Sequence, residues 1–340
     1  MGKSVENFVG VDISKLTFDV ALLQVNKPDN ITHRQFQQTV KGFTEMKEWL
    51  QDQGVLLNED TLFCMEYTGI YNNRLVDFLS NEKVQLWVEM AIRIKKSAGF
   101  ERGGNDKTDA MKIVQYAFRY QDRKKLWTPT DERLSQIKNL IAQRDRIVES
   151  ISQLTVPINE LKEVGNATAA RQMENLQKPV IKSLLTAQAK IEIAIVKTVS
   201  ADEKLSHKVA LVKSIKGIGS VTAIAFLVYT QGFTTFESGK ELACYCGVVP
   251  FIKKQSGTSV KSKSKVSPFA NKKLKCLLHL CALSALKHDQ EIKGYYERKI
   301  QEGKNKMSVI NAIRNKLVLR IHAVLRDDRV FVENYGTKCA

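Results

Sequence analysis

The sequence predicts a mixed α/β front half followed by an all-α rear half, and three observations carry that division. Short apolar runs alternate with helical stretches from Phe8 to about Tyr120, purely helical periodicity follows Thr130, and a basic, acid-free segment runs from Leu242 to His288. The chain has 340 residues, 43% of them hydrophobic, which is a prior for about two domains with real cores. Lysine and arginine total 53 against 36 aspartate and glutamate, a net charge of +17. That excess points to a polyanionic partner, nucleic acid ahead of membrane, because no basic amphipathic terminal helix is visible. No apolar run approaches the roughly 18 residues of a membrane span, and MGKSVENFVGVDIS has neither the basic start nor the apolar stretch of a signal peptide. The expectation is a soluble, cytoplasmic protein whose 6 cysteines are reduced thiols.

The front elements come in order. FVGVDI, FDVALL and ITHRQF are three apolar-rich runs separated by Ser14-Lys15 and by the turn-forming stretch Asn26 to Asn30, as in a strand meander. Phe43, Met46, Trp49 and Leu50 predict a helix by their spacing. TLFCMEYT then reads as a buried strand, Tyr71 to Leu79 as a helix and VQLWV as a strand. A basic helix around Ala91 to Ala98 and an amphipathic helix from about Asp106 complete the series. The order β-β-β-α-β-α-β-α is that of a ribonuclease-H-like sheet and equally of a generic α/β domain.

Rear elements follow the Trp127 to Thr130 punctuation. Leu134, Ile137, Leu140, Ile141, Ile147, Val148, Ile151 and Leu154 form one apolar stripe; a turn near Gly165 precedes a second through Ile181, Leu184, Leu185, Ile191, Ile195 and Val199. This predicts a helical hairpin arm able to pack on itself or on another protomer, with Pro157 and Pro179 expected to kink or end their helices. From about Leu205 the chain reads helix, Gly217-Ile218-Gly219 turn, helix, and then the lysine-rich segment. The division expected is 1–126, 127–204 and 205–340.

Several groups could carry chemistry. Asp12 ends the first strand, Glu66 ends TLFCMEYT, and Asp106 and Asp109 share one helix face through their three-residue spacing. In a ribonuclease-H-like sheet the first and fourth strands are neighbours, so the four would converge, an arrangement that makes physical sense around divalent cations. Spacing alone leaves open that they are ordinary strand-end and helix N-terminal acids. Ser256, followed by Gly257 in QSGTSVKSKSKVSP, is the best-placed hydroxyl for attack on a phosphate, or else part of a Ser/Lys loop that only contacts phosphates. Tyr245 is a weaker nucleophile, with the profile of core. Lys253, Lys254, Lys261, Lys263, Lys265, Lys272 and Lys273 are the expected phosphate contacts. Gly217 and Gly219 suit a helix-hairpin-helix element that offers amides to a phosphate, or an ordinary turn. Cys244, Cys246, Cys276, His279 and Cys281 lack zinc-site spacing and read as core, so no zinc is expected.

Six segments then occur in one order: GVDISKLTFDVAL, EYTGIYNNRLVDFL, NDKTDAMKIVQYA, IKGIGSVTAIAFL, CGVVPFIKKQSGTS and GKNKMSVINAIRNKLVLRIHAVL. Together they resemble the IS110-family transposases, site-specific DNA recombinases of insertion sequences, nearly end to end. The resemblance implies a RuvC-like domain whose DEDD carboxylates fall on Asp12, Glu66, Asp106 and Asp109, a coiled-coil-like arm, and a mostly helical transposase domain with its catalytic serine at Ser256. It implies Mg²⁺, with Mn²⁺ able to replace it, serine attack giving a phosphoserine-DNA link, and a noncoding bridge RNA pairing with target and donor DNA. A dimer of dimers working at the bacterial or archaeal nucleoid is the implied assembly, with no membrane partner. The chain departs from the family pattern at Met90, where a proline is usual, and at Ala270, where a glycine often precedes the asparagine. The rival readings are a junction resolvase or nuclease using water, a nucleic-acid-binding protein without chemistry, and an actin-like kinase, which lacks its second phosphate loop here.

Overall fold

The computed structural model describes residues 5–97, 105–129, 131–251, 265–266 and 270–332. The chain forms two compact units, Met1–Pro129 and Thr130–Ala340. In the front unit the apolar runs become β1 (Asn7–Ile13), β2 (Thr17–Gln24), β3 (Lys27–Gln37), β4 (Thr61–Glu66) and β5 (Gln85–Glu89). The helices are α1 (Val40–Asp52), α2 (Asn73–Ser80), α3 (Ala91–Ser97) and α4 (Asp106–Arg119). The sheet order is β3-β2-β1-β4-β5, with β1 antiparallel to β2 and parallel to β4. β1 is therefore central, which is why its sequence is apolar on both faces. Val9, Val11 and Ile13 pack with Phe18 and Val20 under α1 and α2, where Phe43, Met46, Leu75 and Leu79 are buried. Phe8 packs on the opposite side with Leu62, Cys64 and Trp87 under Ala110, Ile113 and Val114 of α4. Each large apolar side chain so buried contributes about 1.5–3 kcal/mol.

One glycine sets the position of α4. A Cβ at Gly10 would lie 2.4 Å from Val114 N and 2.5 Å from Ala110 O, so the helix backbone rests directly on β1. The first turn of α4 is held by a capping box: the Asn105 side chain accepts from Thr108 N at 2.9 Å, and Thr108 Oγ1 accepts from Asn105 N at 2.9 Å.

In the rear unit, α5 (Glu132–Glu163) and α6 (Ala167–Ser200) form the expected hairpin, turning at Gly165 with φ +80°. Their antiparallel register is marked by ion pairs Lys162–Glu174 at 2.9 Å and Arg144–Glu192 at 2.7 Å, with Arg133 on Asp202 at the far end. Of the two outcomes expected of proline in these helices, a kink or an end to them, the second does not occur. Pro157 and Pro179 both lie inside them. An interior proline costs about 3 kcal/mol, and pairing of two helices of 32 and 34 residues along the hairpin offsets it.

Beyond the hairpin come α7 (Glu203–Lys213), α8 (Ser220–Tyr229), α9 (Gly239–Tyr245), the short ladder of β6 (Pro250–Phe251) with β7 (Lys265–Val266), and α10 (Lys272–His288), α11 (Gln290–Gln301) and α12 (Lys306–Arg326). Their core joins Phe226, Leu278, Leu317 and Ile321 with Ile137 and Ile195 of the hairpin. No helix among the described residues is long and apolar enough to cross a membrane.

Candidate active site

The sheet register assembles the front acids. Asp12 faces Asp19 across the β1–β2 hairpin, Val11 pairs with Met65 so that Glu66 comes beside Asp12, and Glu66 pairs with Glu89. Residues in register share a sheet face, so Asp19, Asp12, Glu66 and Glu89 form a row across β2, β1, β4 and β5, on the face covered by α4. Asp106 and Asp109 lie in the first turn of that helix.

The row's outer members are satisfied by the protein. Asp19, only 3% exposed, accepts from Gln35 Nε2 at 2.9 Å and lies 2.7 Å from His33 Nε2. Glu89 accepts from Tyr116 Oη at 3.2 Å and from Met90 N at 2.8 Å, and pairs with Arg93 at 3.4 Å. The departure from the family pattern at Met90 is what supplies that backbone donor, which a proline would lack. Burial, followed by the Glu89 charge and hydrogen bond, pushes the Tyr116 phenol up to about 12, so it remains a donor.

The inner members differ. Among the described residues no hydrogen bond reaches the carboxylates of Asp12 or Glu66, while Asp109 has only Lys112, at 3.1 Å, one turn along its own helix. Burial raises the Asp12 pKa to about 6, with further upward pushes from Asp109, Asp106, Glu66 and Asp19 in that order. The four predicted carboxylates are thus within electrostatic reach of one another. Among the described residues they are not drawn tightly enough to form a ready-made metal cluster. Like charges with no cation between them repel, which opposes closer approach. The hard oxygen donors suit Mg²⁺.

Asp19, Glu89 and Gly10 were not among the residues singled out from sequence. The available signal was a lone acid inside each apolar run, FDVALL and LWVE, and a glycine in mid-strand.

The rear candidates fare unevenly. Ser256, Lys253, Lys254, Lys261 and Lys263 lie outside the described residues, and Lys265 belongs to β7. Lys272 is exposed at the start of α10, whereas Lys273 is paired with Asp145 of α5 at 2.6 Å. Gly217, at φ +92°, packs against α10, where a Cβ would meet Ala285 N and Cys281 O at 2.8 Å. Gly219 stands at the open N-terminus of α8, with nothing near an added Cβ. Tyr245 stacks on Phe236 and accepts from Asn271 Nδ2 at 3.0 Å. Ala270 sits over Gly247, where an added Cβ would come within 2.4 Å of the alanine methyl. Cys246 and Cys281 are buried, and His279 pairs with Arg314.

Comparison with known proteins adds an independent line. Residues 9–166 match the transposase model of the DEDD type found in IS110, and residues 209–297 match the model described as Transposase IS116/IS110/IS902 family. The pilin gene-inverting proteins of Moraxella bovis and Moraxella lacunata are each 26% identical over 332 residues, covering 96% of this chain and 98% of theirs. An IS110 insertion-element protein of Streptomyces coelicolor is 28% identical over 149 residues, 44% of this chain and 36% of its own. With both halves matched in the order their motifs anticipate, this chain belongs to the IS110 family of transposases and is a DNA recombinase.

Proposed function

We propose that the front unit is a RuvC-like, ribonuclease-H-like nuclease domain whose Asp12, Glu66, Asp106 and Asp109 bind divalent metal, and that Ser256 of the rear unit is the nucleophile toward DNA. The observation that carries this reading is the Asp12 carboxyl, raised to about 6 by burial and by the other three acids, in a row across the sheet whose outer acids are individually satisfied. Mg²⁺, or Mn²⁺ in its place, would supply neutralising charge and polarise the scissile phosphodiester. Asp12 and Glu66 present oxygens from adjacent strands, Asp106 and Asp109 from the helix held above them by Gly10. Lys112, paired with Asp109, balances part of the acids' charge from α4 itself.

The Ser256 hydroxyl would lose its proton as its oxygen bonds to phosphorus, and the deoxyribose oxygen would leave and take up a proton. The resulting phosphoserine-DNA link would be resolved by the hydroxyl of an incoming strand, without hydrolysis. Specificity would come from a noncoding bridge RNA pairing with target and donor DNA, because lysines on phosphates position nucleic acid but do not read it. In this reading residues 1–126 are the nuclease domain and 127–204 the arm joining protomers. Residues 205–340 form the serine-bearing domain, with Gly217-Ile218-Gly219 as a helix-hairpin-helix-like turn. The working assembly is a dimer of dimers in which the serine of one protomer serves the carboxylates of another.

The test is Ser256→Ala in the full chain with donor DNA, target DNA and RNA. Covalent protein-DNA adducts and strand exchange should vanish while RNA binding persists; an undiminished adduct removes this serine, and cleavage without any adduct points to water as nucleophile. Asp12→Ala and Asp109→Ala should each lower strand exchange about 10³-fold, the loss of several kcal/mol of metal-assisted stabilisation.

A further inference from the structure

The rear unit holds a cation that the chemistry above does not use. Arg314, in the middle of α12, is 7% exposed, and among the described residues no carboxylate pairs with it. Its Nη2 lies 2.6 Å from Nδ1 of His279 on α10, and its Nε is buried without a hydrogen-bond partner. A half-buried arginine on the same helix shows what a structural role looks like: Arg320 is bound to Asp289 and Glu291, each at 2.6 Å. A guanidinium keeps its proton under all ordinary conditions, and leaving it buried without an anion is costly. Burial lowers the Arg314 pKa, and the influence set against it comes from Cys276, not from an acid.

The pair itself offers donors. A guanidinium can only donate, so in this pair Nδ1 of His279 accepts, which leaves the imidazole proton on Nε2 as a further donor. Cys276, one turn before His279 and within electrostatic reach of Arg314, is exposed. The location is informative. One turn before Arg314, Asn311 Nδ2 donates to Val248 O at 2.8 Å, fastening α12 to the chain just before β6, where the segment containing Ser256 begins. That segment returns through β7 to Asn271, whose backbone N donates to Tyr245 O at 2.8 Å, and then opens α10, which carries Cys276 and His279. The pair therefore stands where the serine segment leaves and rejoins the helical core.

We propose that Arg314 and His279 form a phosphate-binding site that receives a phosphodiester of the DNA strand at the base of the Ser256 segment. The guanidinium would donate two N–H groups to the non-bridging oxygens and the imidazole Nε2–H a third. This rests on the reading of the protein as an enzyme of DNA strand exchange, but not on Ser256 being its nucleophile.

The experiment uses the full chain carrying Ser256→Ala, so that only non-covalent binding is read. Binding to a labelled DNA duplex and to an RNA hairpin of equal charge is followed against salt, with and without Arg314→Met. Arg314→Met should weaken DNA binding roughly tenfold and make its logarithmic salt dependence shallower by about one, while the thermal midpoint without nucleic acid stays level or rises. Unchanged affinity and slope in a folded variant overturn the site, and a loss confined to RNA transfers it to that partner and overturns the DNA assignment. Should Arg314→Met not fold, Arg314→Lys decides: a folded protein with weakened DNA binding supports the site, and one that binds as wild type or also fails to fold makes the residue structural.

Discussion

The acid row of the front unit and the α10–α12 seam of the rear unit are electrostatically incomplete in opposite senses. On the inner strands β1 and β4, Asp12 and Glu66 have no donor among the described residues, and Asp12 is raised to about 6 by burial and then by the surrounding negative charge. In the seam Arg314 is buried with no acid paired to it among the described residues. Between these extremes the fold balances its charges routinely, as in Arg144–Glu192 and Arg320–Asp289. Unfolded, each of these groups would be solvated, so a fold that leaves one buried and uncompensated carries a cost that a ligand can remove. On the proposed readings the two regions would take opposite ligands: a cation at the carboxylate oxygens of the front unit, an anion at the N–H donors of Arg314 and His279.

The strongest way to break the comparison acts on the front scaffold. Gly10→Ala should force α4 off β1 and destabilise the protein by about 1–3 kcal/mol in urea unfolding. It should also weaken the stabilising response to Mg²⁺ about 10- to 100-fold in midpoint concentration, the scale of an outer-shell defect. Gly219→Ala, with open space around it, is the control and should change stability by less than about 0.5 kcal/mol.

A second prediction concerns pH. The Asp12 carboxyl titrates at an ordinary 3.8 when unfolded and at about 6 when folded. Between those values the folded chain holds the extra proton, so the metal-free protein should lose stability as pH rises from about 4 to about 6. Thermal midpoints across that window should flatten in Asp12→Asn, and a wild-type profile with no decline would mean that burial and the neighbouring acids do not raise Asp12 in the folded chain. Mg²⁺ should counter the decline, because it favours the ionised form.

The smallest expected effect sharpens the picture of α4. Asn105→Ala removes one side of the capping box and should cost about 1 kcal/mol, leaving the rest of the unit's unfolding cooperative. A loss below about 0.2 kcal/mol would show that Gly10, not the cap, sets the helix start.

Much of this was legible in the linear order of residues. FVGVDI, FDVALL and TLFCMEYT are strands where their period-two and apolar runs place them, and the stripes beginning at Leu134 and Ile181 are the two long helices of the hairpin. The candidate acids Asp12 and Glu66 were readable because both end a strand. Asp19 was not, since one polar residue in FDVALL has no meaning until β2 is set in register against β1. That Pro157 and Pro179 do not end their helices was not readable locally, because the penalty of an interior proline is local and the packing that offsets it is not.

The sequence alone determined which segments are strands or helices, that the chain is basic, and which family motifs it carries, because periodicity, composition and motif are properties of neighbouring residues. Tertiary structure alone decided three things: that four acids share one row, that α4 touches β1 through Gly10, and that Arg314 is enclosed with no acid paired to it among the described residues. Each depends on strand order, register and burial, which are set by pairings between residues far apart in the chain.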